Sequence, residues 1–413
     1  MSETGLFNQN LGARHRRGSW WRAAFALSTI LAIAFLATLV LTIVDDAFGY
    51  VIMMDETDRR ELDRDGVALD RQDADQLRTT MDEHLSPRRY RALERELPFA
   101  GRDRDDLYAL VLAEIVNPEI AETFTLFESL LSASRIREHA ATAYPEGLLL
   151  FRSWVNIRFL MAPQSAVPLA AGIKTAILGT LMTILITLAF AFPVGIGAAI
   201  WLEEYARDSW LTRAIQVNIY NLAGVPSIIY GMLGLAVFVR GMEPVTSGAV
   251  FGASAAGDTA NGRTILSAGL TLAVLILPVI IINAQEALKA VPGTLRQSSL
   301  AVGATKWQTI RHHVLPASFD RILTGTVLAI SRAIGETAPL VVIGASTFLT
   351  QDPTSIFSKF TTLPIQIYQW TSRPQAEFRH LAAAAIVVLL VLMLSLNSFA
   401  IVARNKMRKQ KRF

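Results

Sequence analysis

No cysteine occurs among the 413 residues. Disulfides, thiolate metal sites and cysteine nucleophiles are therefore excluded. No other metal-ligand cluster takes their place, because His312-His313 is an adjacent pair with no third partner in pattern. The phosphate-cradling loop G-x-x-x-x-G-K-[ST] is also missing. Gly303-Ala304-Thr305-Lys306 has neither its spacing nor a preceding strand, so the chain does not hydrolyse ATP alone and no cofactor is expected on it. Charge is sparse, at 18% of residues, and the net +4 is distributed by position along the chain rather than as a nucleic-acid surface. No internal repeat is visible.

What the chain does have is apolar sequence, 52% of it, gathered in runs. A bilayer-crossing helix needs about 20 such residues. Residues 20–44, 170–201, 215–239, 265–287, 322–348 and 381–403 qualify, which predicts an all-α membrane protein with six transmembrane helices. Arg14, His15, Arg16 and Arg17 resemble the start of a signal peptide. The run after them is too long for one, and no small-x-small site precedes Asp45, so the segment reads as a retained anchor. Arg14, Arg16, Arg17 and Arg22 flank the first span, and Arg404, Lys406, Arg408, Lys409, Lys411 and Arg412 follow the last. The positive-inside rule then puts both termini in the cytoplasm, and six spans agree by parity; the lack of cysteine fits a bacterial inner membrane. The basic loops at 207–213 and 289–321 fall on that side too.

This divides the chain into 1–44 (cytoplasmic end and first span), a periplasmic insert at 45–168, a core at 169–403 and a basic tail at 404–413. Three-to-four spacing of apolar residues at 85–97 and 107–131 predicts a helical insert. It reads either as a solvated module packing on the membrane part or as a contact surface for a periplasmic partner. Residues 241–262, rich in Gly, Ala, Ser and Thr, read as a loop or re-entrant piece. Residues 361–374 are too short to span and read as a re-entrant or interfacial piece with an aromatic anchor.

The stretch 286–340 carries the chemistry. Arg332 and Glu336 stand four apart in an otherwise apolar helix, on one face. Ionisable groups are costly in hydrocarbon and mark function there. Arginine's planar donor fork suits an oxyanion such as phosphate, with Glu336 as resting partner; the pair reads equally as structural glue. Pro339 removes the backbone bond to Gly335, so a kink is expected between them. Arg240 guides anions or snorkels to headgroups, and Lys174 reads as snorkelling. Ser227 and Tyr230, beside Pro226, line a path or bond to neighbouring backbone. The polar, basic loop between the spans forms two short helices turning at Gly303. In that knob Leu295, Leu300 and Val302 pack inward, while Arg296, Gln297, Lys306 and Gln308 face out. Such a knob fits a groove on a nucleotide-hydrolysing partner.

At this loop the chain resembles the membrane subunits of ATP-binding-cassette importers. Gly303, Leu315 and Pro316 fall in the register of their cytoplasmic coupling loop, about 286–318 here. The Glu-Ala-Ala positions are occupied by Gln297, Ser298 and Ser299, so the acidic residue is missing. Asn221-Leu222-Ala223-Gly224-Val225-Pro226-Ser227-Ile228-Ile229-Tyr230-Gly231, residues 331–340, Leu363-Pro364-Ile365-Gln366, Ser372-Arg373-Pro374-Gln375 and Ala382-Ala383-Ala384-Ala385-Ile386 are similar to the phosphate-specific branch, in its A-type permease subunits. The resemblance covers most of 170–404 and leaves the insert out. It implies the type I permease fold and ATP-driven import of inorganic phosphate. The implied partners are a second permease subunit, an ATPase dimer that binds the ATP and Mg, a periplasmic phosphate-binding protein and membrane lipid, with no nucleic acid. Import of another oxyanion, or a stand-alone secondary phosphate transporter, is the alternative.

Overall fold

A computed structural model describes residues 11–410 except Asp65, 253–260 and Thr347. Lys411 and Arg412 of the basic tail, and 253–260 of the loop expected at 241–262, lie outside the described residues. The chain forms two compact units, 1–153 and 154–413.

The first unit opens with α1 (Leu11–Ala47), whose apolar window is unburied. It passes directly into β1 (Phe48–Met54). Then come α2 (Ala74–His84), α3 (Pro87–Glu96), α4 (Arg104–Val111), β2 (Glu119–Thr123), α5 (Leu126–Leu131), α6 (Ala133–Ala143) and β3 (Leu148–Ser153). Leu77, Met81, Leu93, Phe99, Leu107 and Val111 form a small core among the helices. The region is not wholly helical as expected. β1 pairs antiparallel with both other strands, in the order β2-β1-β3. About a hundred residues separate β1 from β3, so local periodicity could not reveal the pairing. Nor is 107–131 one helix. A π-turn over Leu112–Val116 ends at Asn117 in the left-handed region (φ 39°), just before Pro118, and the chain continues as a strand.

The second unit contains α7 (Ile157–Met161), α8 (Lys174–Ile200), α9 (Trp210–Ala223), α10 (Ser227–Gly234), α11 (Glu243–Thr246), α12 (Ile265–Lys289), α13 (Gly293–Ala301), α14 (Lys306–Thr309), α15 (Leu315–Gly335), α16 (Ala338–Ile343), α17 (Leu363–Thr371) and α18 (Ala376–Gln410). Among the described residues five helices are long and apolar enough to cross a membrane: Arg14–Ala47, Lys174–Tyr205, Ile265–Lys289, Lys306–Gly335 and Ala376–Val402. The sixth expected span, 215–239, is instead two helices, Trp210–Ala223 and Ser227–Gly241, meeting at 105°.

α12 is the central helix. It buries Ala268, Leu272, Ala273, Ile276 and Ile280 against α8, α10 and α15. Polar bonds between helices add direction to this apolar packing, as they do where water cannot compete. Thr187 on α8 donates to the Gly269 carbonyl (3.0 Å), and Gln216 and Gln285 exchange bonds between α9 and α12 (3.0 and 2.9 Å). Ser331 on α15 donates to Asn397 on α18 (2.8 Å). Of the two aromatic residues of α17, Tyr368 stays exposed and Trp370 turns into the protein. Trp370 is fully buried, with Phe159 and Phe378 as ring neighbours.

Candidate functional site

Two helix interruptions meet in the second unit. The first follows from Pro226, which has no N–H to offer the Leu222 carbonyl one turn back. The Tyr230 hydroxyl donates to that carbonyl at 2.8 Å, and the Val225 N–H reaches it at 3.1 Å. Tyr230, 5% exposed, therefore staples the bend. Ser227, half-buried, is the first residue of α10.

The second interruption lies in α15. The span expected at 322–348 does not merely kink between Gly335 and Pro339. α15 ends at Gly335, Glu336 is extended (φ −77°, ψ 118°), and α16 starts afresh with Pro339 near its first turn. Pro339 cannot bond back to the Gly335 carbonyl, and glycine at that carbonyl has little reason to stay helical. The two interruptions touch where a Cβ on Gly231 would come 2.7 Å from the Pro339 Cα. Only a residue without a side chain lets α10 approach α16 so closely.

Arg332 and Glu336 sit at this junction. Their ion pair forms, Nε to Oε1 at 3.3 Å, although Glu336 is the first residue beyond the helix rather than part of its face. The Arg332 side chain is 44% exposed and that of Glu336 19%. From Ile322, where the apolar part of α15 begins, ten residues rise about 15 Å, half the hydrocarbon thickness. A guanidinium open to the outside of its own chain in a membrane-spanning helix needs water or another protein beside it. The geometry thus joins Arg332, Glu336, Tyr230, Gly335 and Pro339 in one place. Arg240 is exposed and lies about 15 Å further along the helix from Tyr230. Lys174 has a partner of its own. Its ammonium lies 2.6 Å from Asp352. Burial pushes the Asp352 carboxyl up, but hydrogen bonds from Lys174 and Thr175 and the lysine charge outweigh it and hold the group below its ordinary range.

The polar loop forms a second site. α13 turns at Gly303, φ +86°, a conformation that glycine adopts without strain. The Thr305 hydroxyl then caps α14, with Gln308 completing the capping box. Helix continues through a π-turn at Ile310–Val314 into α15, so the second short helix is the foot of a membrane helix. Leu315 and Pro316 open α15, partly buried. Buried Ser299 bonds its hydroxyl to that of Thr309 (2.9 Å) and clasps the two arms, while Gln297 and Ser298 are exposed.

The expected inside and outside of the knob are partly exchanged. Leu300 and Val302 point outward, 50% and 84% exposed, beside Trp307 at 52%; Leu295 alone of the expected three packs inward. Arg296 goes in. Its guanidinium meets Glu204 at 2.8 Å and the Leu288 and Val291 carbonyls at 2.9 and 2.8 Å. Glu204, 8% exposed, comes from the turn that ends α8, ninety residues earlier in the chain, and no local pattern links the two. The knob therefore presents an apolar tip on a base tied to α8 and α12.

The model of the family described as "Binding-protein-dependent transport system inner membrane component" matches residues 191–409, within the second unit. "Probable ABC transporter permease protein YqgI" of Bacillus subtilis is 29% identical over 258 residues, covering 59% of this chain and 82% of that protein. "Phosphate transport system permease protein PstA" of Yersinia pestis is 33% identical over 229 residues, 55% of this chain and 71% of the relative. "Phosphate transport system permease protein PstC" of Haemophilus influenzae is 35% identical over 205 residues, 45% and 61%. A bacterial alginate ABC transporter solved with its periplasmic protein aligns at TM-score 0.43 and 17% identity.

Proposed function

The chain belongs to the family of binding-protein-dependent transport system inner membrane components, and from that premise we propose that it imports inorganic phosphate as one half of a permease pair. It is an integral membrane protein of the ABC importer permease type, with ATP hydrolysis on a separate subunit. In the proposed complex a second permease faces it, two ATPase copies dock on the apolar tip at Leu300, Val302 and Trp307, and a phosphate-binding protein delivers substrate from outside. The observation that carries the reading is Arg332, held by Glu336 at the meeting point of two broken helices and open to the outside of its own chain. A second permease laid on that face encloses the guanidinium in a path, where its donor fork matches a phosphate oxyanion. Relatives named as phosphate transport permeases of two kinds support both the substrate and the pairing. Uptake of labelled phosphate by cells carrying the assembled complex tests it. Unlabelled phosphate should compete and sulfate should not; competition by sulfate alone would move the assignment to another oxyanion.

Both termini and the 289–321 loop are proposed to be cytoplasmic, from the arginines at 14, 16, 17 and 22 and the basic tail. This needs the bent pair Trp210–Ala223 and Ser227–Gly241 to act as one crossing, completing six. Because the chain has no cysteine, Lys306→Cys offers a single thiol. An impermeant thiol reagent should leave it unlabelled in intact spheroplasts and label it after lysis. Labelling from outside would reverse the topology.

A further inference from the structure

α5 is built inside out. Its buried residue is Ser129, 3% exposed, whose hydroxyl accepts the Tyr50 N–H of β1 (2.8 Å) and donates to the Thr125 carbonyl (2.6 Å). Phe127, Leu130 and Leu131 face the other way, 44%, 66% and 83% exposed. Their spacing, i, i+3 and i+4, gathers them on one face of the helix. Nearby helices of the same unit follow the ordinary rule, with α2 and α4 burying Leu77, Met81, Leu107 and Val111. Among these helices the inversion is confined to α5, while Leu148, Leu150 and Phe151 of β3 are exposed as well. Bare water is an unfavourable neighbour for such a face.

The position of α5 says what covers it. α5 packs on the end of α1, and the Phe127 N–H donates to Asp45 Oδ1 at 2.6 Å. Asp45 is the first charged residue after the apolar run of α1, so it marks where hydrocarbon gives way to headgroups. Along that run the surface of α1 is open nearly everywhere, and Ile43 and Val44, next to Asp45, become partly covered. Leu130 and Leu131 lie about 6 Å from Phe127 along the helix axis. An interfacial apolar helix face rests roughly 5–10 Å deep, a distance of the same size. α5 therefore stands beside the end of the apolar run of α1.

We propose that α5 is a membrane foot. Phe127, Leu130 and Leu131 rest in the headgroup–acyl boundary of the leaflet at the Asp45 end of α1 and hold the first unit down on the bilayer. The experiment uses the full chain in lipid nanodiscs with no other protein present. Leu131→Cys and, separately, Leu130→Cys are labelled with a nitroxide; the native chain contributes no thiol, and both positions are too exposed for the change to unfold the unit. Leu36→Cys, midway along α1, serves as the lipid reference, and Arg91→Cys on exposed α3 as the water reference. Labels at 130 and 131 should be several-fold less accessible to a water-soluble nickel chelate than the label at 91, while remaining accessible to oxygen as at 36. Nickel accessibility equal to that at 91 would show the face standing in water. Low accessibility to both relaxers would show protein covering it. Either result overturns the foot.

Discussion

Arg332→Ala should abolish phosphate uptake while leaving the assembled complex at its normal level. The side chain is 44% exposed within its own chain, so its loss removes little packing, and the cost of leaving Glu336 without its partner is read by the double change. What disappears is the donor fork at the junction of the two broken helices. Arg332→Lys keeps the charge but not the planar pair of donors, and uptake should fall strongly there as well. The double change Arg332→Ala with Glu336→Ala separates contact from glue. A merely structural pair regains uptake when both partners go, because no lone carboxylate is left in the membrane. A phosphate-contacting arginine does not. The measurement is labelled phosphate uptake at matched complex levels, and near-normal uptake by the double variant would remove Arg332 from the substrate path.

The second large effect belongs to Arg296, a residue outside the expected docking set. Arg296→Ala strips Glu204, 8% exposed, of its partner and leaves the Leu288 and Val291 carbonyls without that donor. Breaking one side of a buried pair costs about 3–5 kcal/mol. α13 should loosen from the ends of α8 and α12, lowering the thermal midpoint and separating ATP hydrolysis from uptake. Adding Glu204→Ala should recover part of the stability by removing the stranded charge. Val302→Asp is the contrasting case. At 84% exposure it leaves the fold alone and places a charge on the tip, so coupling should fail with the midpoint unchanged. An Arg296→Ala protein with normal midpoint and normal coupling would mean that the base of the knob does not govern docking.

These two residues also mark how far the sequence could be read. Arg332 and Glu336 were legible because charge inside an apolar run has few explanations. The knob was legible as a glycine turn in a basic loop. Its orientation was not. Leu300 and Val302 look like core by type, and Arg296 like surface, but the Glu204 carboxylate ninety residues away draws the guanidinium inward, and the apolar side chains are left outside.

The hydropathy pattern by itself determined the membrane class and the number of apolar segments, and the lack of cysteine excluded thiol chemistry, since each is read directly along the chain. Pro339 and Gly335 announced that a helix would be disturbed, whereas Pro226 lay inside a run read as one span. Only the tertiary structure decided how. The Tyr230 hydroxyl takes up the carbonyl that Pro226 leaves open, and the span becomes two helices at 105°. Gly231 lets Pro339 approach, so two interruptions distant in sequence become one junction. The sheet of the first unit and the outward apolar face of α5 were hidden for the same reason. Each depends on which distant backbone or carboxylate satisfies a polar group, and no local pattern of residues records that choice.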